Sequence, residues 1–221
     1  VSRPLNAYAK ALDALDQKIE KMGAMVIKGL DLAVEALIKQ DGNLAVQVQL
    51  GDDGVDEIDD GLQYRCLELL TIKQPTENEL RRLAAVQRVS RELERFGDYT
   101  VNIAEAAAYL AGTGPYFKPL EDIPLMSQIV KDNTIQALLA YRELNLDVAA
   151  EVTAGDDRVD GLFKALHDEL IGYMKQGARY VEQGSYLLLV ARYLERAGDH
   201  GVNVAETVKF ILTGERRPKR G

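Results

Sequence analysis

The sequence predicts an all-α fold built as two tandem three-helix units, duplicated and fused. Three observations carry that expectation. Apolar residues recur at intervals of three and four, as in Met22, Met25, Val26, Leu30, Val34, Leu37 and Ile38, which is the period of one helix face. The six prolines, at positions 4, 75, 115, 119, 124 and 218, leave long stretches unbroken. A thirteen-residue segment at 93–105 returns at 194–206 with nine identical positions, the mark of an internal repeat.

The elements follow in order. Helices are expected over about 5–40, 43–72 and 77–111, then over about 122–148, 150–180 and 184–213. The first contains the Met22–Ile38 apolar run. The second ends at Gln74-Pro75, and Thr76 with Glu79 forms a capping box for the third, each side chain reaching the other's backbone N–H. Phe96, Ile103 and Leu110 recur at heptad spacing as the core seam of that third helix. Gly112-Thr113-Gly114-Pro115 with Pro119 marks a linker near mid-chain. The repeat then supplies the second half. Asp52-Asp53-Gly54-Val55-Asp56 returns as Asp156-Asp157-Arg158-Val159-Asp160, and Ala197, Val204 and Ile211 form the matching seam. Residues 1–112 thus form the first repeat, 113–120 the linker, and 121–221 the second repeat with a basic tail.

Composition narrows the function. The 221 residues are 47% hydrophobic and 28% charged, which excludes a disordered chain. No run approaches the roughly 20 apolar residues of a membrane span, and residues 1–5 hold no apolar signal core. The single cysteine, Cys66, fits a reducing compartment and a small buried residue in a helix. A cytoplasmic protein is expected. The net charge of −8 argues against nucleic acid, which demands a basic patch. The cluster of Arg216, Arg217, Lys219 and Arg220 reads as a solvated tail. No phosphate loop, dinucleotide turn or nucleophile elbow is present, and two histidines with one cysteine leave little for catalysis. The chain is not read as an enzyme.

The repeat preserves polar residues. Glu94, Asp98, Asn102 and Glu105 fall within roughly 80° of one another on a helix, as do Glu195, Asp199, Asn203 and Glu206. Carboxylates at i and i+4 repel by about 0.2–0.5 kcal/mol unless a cation lies near. Keeping that cost in both halves points to a bound cation, although Arg95 and Arg196 could partly offset it. Asp52 with Asp56, and Asp156 with Asp160, add donors if the helix register brings them close. Such hard oxygens suit Mg²⁺, Ca²⁺, Mn²⁺ or iron. An acidic stripe opposite an apolar seam is also what a solvated amphipathic helix shows; the second copy, with matching Asn and Gly, favours a functional face. Gly97 and Gly198 fit either close helix packing or a ligand role. His167 and His200 read as surface or interfacial residues. Neither forms the Glu-x-x-His pair of ferritin-like bundles.

Leu93-Glu94-Arg95-Phe96-Gly97-Asp98 and Leu194-Glu195-Arg196-Ala197-Gly198-Asp199, each followed by a Val-Asn-(Ile/Val)-Ala-Glu run, resemble the duplicated signature of PhoU proteins, regulators of phosphate uptake. Met22-Gly23, Gly51-Asp52 and Gln74-Pro75 extend the resemblance over nearly the whole chain. It implies two three-helix bundles related by pseudo-twofold symmetry, and a cytoplasmic negative regulator of phosphate uptake and signalling. The implied role is that of a homodimeric adaptor between the Pst phosphate transporter, through its ATPase PstB, and the sensor kinase PhoR. It also implies metal ions (iron, Mn, Mg or Zn) on Asp52, Asp56, Glu94, Asp98, Asn102, Asp156, Asp160, Glu195, Asp199 and Asn203. The family's further acid pair falls on Asp59 and Gln63, and on Phe163 and His167 in the second half. That departure tells against a multinuclear site. A metal-handling protein and a metal-free adaptor docking through its acidic stripes are the alternatives.

Overall fold

The computed structural model describes residues 3–155 and 157–215, and among these there are helices and no strand. In chain order they are α1 (Arg3–Lys39), α2 (Gly42–Ile72), α3 (Glu77–Leu110), α4 (Asp122–Glu143), α5 (Leu146–Gly155), α6 (Asp157–Gln176) and α7 (Val181–Thr213), with one 3₁₀ turn at Ala178–Tyr180. None is long and apolar enough to cross a membrane.

In the first half α1, α2 and α3 pack on one another, and in the second α4, α5, α6 and α7 do the same. The seam read from heptad spacing lies in the core: Phe96, Ile103, Leu110, Ala197 and Val204 are all fully buried. Ile211 is half-buried against them. Cys66 is buried and its Sγ lies 3.9 Å from the Leu83 carbonyl. The capping box is present, with Thr76 and Glu79 each accepting from the other's backbone.

Several boundaries differ from the sequence expectation: the helix expected over about 150–180 is α5 and α6, which begin at Leu146 and end at Gln176. α4 stops at Glu143, not 148, because Leu144 adopts the left-handed conformation at φ 52° and Asn145 donates its N–H to the Ala140 carbonyl. Asn145 then accepts at Oδ1 from the backbone of Asp147 and Val148, which starts α5. Gln40 (φ 52°) and Asp41, which accepts from Asn43, repeat this device between α1 and α2. α7 also begins three residues early, at Val181.

The halves join along two antiparallel seams. α1 meets α4 through Lys131 with Asp31 at 2.7 Å and Tyr141 Oη donating to Asp16 at 2.9 Å. α3 runs against α7: Tyr109 stacks on Tyr186 at 4.1 Å, and Tyr99 packs on His200 and Tyr193. Glu92 accepts from Asn203 and pairs with His200, both at 2.7 Å. The linker is fastened from both sides. Gln40 donates to the carbonyls of Leu110 and Gly114, and Gln183 donates to Thr113, Gly114 and Pro115 while accepting from the Phe117 N–H. Tyr116 donates to the Leu37 carbonyl at 2.7 Å.

Candidate functional site

The register of α2 against α3 brings the two acid motifs of the first half together. Gly97 makes this possible: a Cβ there would come 2.9 Å from Asp52 Oδ1, so the glycine leaves room for the carboxylate between the helices. Asp52 is half-buried, and its carboxyl is pushed up to about 6, first by loss of solvent and then by Asp56, Asp98, Glu94 and Asp53. Asp56 is raised as well, by burial and then by Asp98. Glu94 is raised by burial first and Asp98 second, against the lowering pull of Arg95 and Arg91. These four acids share one face.

The second half builds the equivalent face. The Glu195 carboxyl is raised by burial, lowered by Arg192, and raised again by Asp199, with Asp160 a smaller contributor. Asp160 therefore approaches the α7 stripe as Asp56 approaches that of α3. Asp156, the counterpart of Asp52, lies outside the described residues. At Gly198 the nearest atoms to an added Cβ are Val130 at 3.4 Å and Val159 at 3.9 Å, so this glycine serves helix packing.

Each face carries its own arginines. Arg91 lies 3.3 Å from Glu94, and Arg95 donates to Asp98 at 2.8 Å. Arg192 donates to Glu195 at 2.8 Å and Arg196 to Asp199 at 3.4 Å. Arg95 and Arg196 thus provide the offset considered from sequence. Arg91 and Arg192 were not singled out there, although each stands three residues before its glutamate, in reach on a helix. Oε2 of Glu94 and of Glu195 is buried without a hydrogen bond, although each lies in ion-pair range of an arginine, Arg95 Nε at 3.5 Å and Arg196 Nε at 3.7 Å.

The remaining candidates fall elsewhere. Asn102 is half-buried on α3, whereas Asn203 is engaged at the α3–α7 seam by Glu92. Asp59 is buried, accepts from Gln63 at 3.2 Å and lies 3.6 Å from Arg91. In the second half Phe163 stands at that position, with Arg192 over its ring at 5.5 Å. His167 turns outward and pairs with Asp168. Among the described residues no group of three or more His, Cys, Asp or Glu forms a ready-made metal cage.

Comparison with known proteins agrees with this architecture. Residues 19–107 and 123–208 each match the family described as the PhoU domain. A phosphate-specific transport system accessory protein PhoU homolog of Caulobacter vibrioides is 32% identical over 97% of this chain and 95% of its own length. One from Aquifex aeolicus is 35% identical over 93% of each chain. The crystal structure of PhoU from Pseudomonas aeruginosa superposes with a TM-score of 0.90 at 29% identity, covering 94% of this chain and all of that one. These relatives are named as accessory proteins, and the family is not one of enzymes. The chain, with two copies of the domain facing each other across antiparallel seams, belongs to the PhoU family.

Proposed function

We propose that this chain is an accessory regulator of phosphate-specific transport, a cytoplasmic adaptor that links the Pst transporter's ATPase, PstB, to the sensor kinase PhoR and works as a homodimer. Its acidic faces hold one divalent or trivalent cation in each half: iron, Mn, Mg or Zn. The observation that carries the cation reading is the buried, unbonded carboxylate oxygen at equivalent positions, Glu94 and Glu195. A buried oxygen without a hydrogen bond costs about 1–3 kcal/mol, which the nearby Nε of Arg95 and of Arg196 offsets in part, and hard carboxylates suit these ions. Asp52, Asp56, Glu94 and Asp98 would hold the ion in the first half. Asp160, Glu195 and Asp199 would hold it in the second, with Asp156 the fourth candidate. When bound, the ion supplies positive charge that relieves the repulsion among these acids. Asp59 is committed to Gln63 and Arg91, and Phe163 offers no oxygen, which supports one ion per half over a cluster.

A metal-free adaptor is the second reading, favoured by the Arg91–Glu94 and Arg192–Glu195 pairs, which already neutralise part of each face. Metal content by mass spectrometry decides between them. Protein purified without chelator and re-equilibrated with Fe, Mn and Mg in turn is compared with the Glu94, Asp98, Glu195, Asp199 quadruple alanine variant. Metal kept by the native chain and lost from a variant of unchanged helix content supports ion sites. No metal on either makes the faces docking surfaces, whose binding weakens with salt and ignores chelators.

A further inference from the structure

Beside the acidic face of the first half, α1, α2 and α3 leave a groove of about 180 Å³ between them. Met25, Val26, Val48 and Val55 give it apolar walls, and Asp52 is its one acidic lining group. That volume falls below the about 300–1,000 Å³ of pockets that enclose small molecules; it suits a single long side chain. The walls match the methylene stem of a lysine or arginine, and Asp52 matches its charged end.

The surroundings extend the same chemistry outward. On α2, Gln47 and Gly51 line the groove and are exposed. Asp53, Asp56 and Glu57 are exposed on the same helix. Lys28, the one basic lining residue, stands on the α1 side, so an incoming cation is favoured along α2. We propose that this groove is a docking site for a basic amphipathic helix of a partner protein, one Lys or Arg of which enters along the apolar walls of Met25, Val26, Val48 and Val55 to meet Asp52. The proposal rests on the metal-free adaptor reading, in which Asp52 is open to a partner's cation, and names the chemistry of the partner's binding segment.

Gly51 provides the test. It lines the groove and is exposed, and a Cβ there meets nothing within 4 Å, so Gly51→Phe adds a ring at the mouth without changing charge. The probe is a fluorescein-labelled helical peptide built from leucine and lysine, followed by anisotropy in chelator so that no metal competes for Asp52. A leucine–glutamate counterpart serves as control. The native chain is expected to bind the lysine peptide at least tenfold more tightly than Gly51→Phe or Asp52→Asn, and to ignore the glutamate peptide. Equal affinity of the native chain and Gly51→Phe overturns the site, because the peptide then merely coats an acidic surface. So does failure of the lysine peptide to bind the native chain. Capture of the transporter ATPase or the kinase sensor region separates the two readings. Equal capture by the native chain and Gly51→Phe removes the groove and leaves the adaptor. No capture by the native chain, with peptide binding still sensitive to Gly51→Phe, removes the adaptor and leaves the groove.

Discussion

Asp52 holds its charge at neutral pH against burial and against four neighbouring carboxylates. With its folded carboxyl near 6 and an ordinary value of 3.8, the folded chain takes up this proton more readily than the unfolded chain does. Asp52 therefore contributes stability that is complete below about pH 4 and is lost as pH rises through about 6. Asp52→Asn should raise stability at pH 8 by about 1–2 kcal/mol, after allowance for the solvent that still reaches the group. At pH 4 it should change little. Urea titrations in chelator at the two pH values check this, and an equal effect at both would mean that charge is not the cause. Phe96, fully buried, makes a simpler case: Phe96→Ala should cost about 3–5 kcal/mol. Its place was legible from heptad spacing alone. The role of Asn203 was not. Identity at repeat-equivalent positions marks shared placement, but a contact also needs its partner, and Glu92, the acceptor for Asn203, has Tyr193 as its own repeat counterpart. The bond therefore exists on one side only.

At the scale of the helix, the turn between α4 and α5 shows why one boundary was hidden. Leucine seldom adopts φ > 0, and Leu144, Leu146 and Val148 continue an apolar pattern that outweighs the Asn145 cap signal. Comparison of the halves uncovers it, since Gln40-Asp41 and Leu144-Asn145 each place a left-handed residue before an Asx cap. Removing that cap with Asn145→Ala should cost about 0.5–2 kcal/mol. The loss should show as faster amide exchange in α5, with α3 unaffected. Protection unchanged in α5 would mean that packing against α4 and α7, and not the cap, holds this short helix.

For the molecule as a whole, the α3–α7 seam decides whether the halves unfold together. Glu92→Ala strips His200 and Asn203 of a shared acceptor and should cost about 1–3 kcal/mol. Calorimetry should show the transition move down and broaden toward two steps. An unmoved transition would leave the stacked tyrosines as the main fastening. The linker bears on the same question from another side. Its carbonyls are claimed by Gln40 and Gln183, yet adhesion comes from α1 on α4 and α3 on α7, which meet as two copies of one shorter chain would across a twofold axis. A single cut between residues 111 and 121 should therefore leave both pieces in one particle. What the linker adds is effective concentration: a half-length chain would have to find a second copy by diffusion, whereas here each half is synthesised already beside its mate.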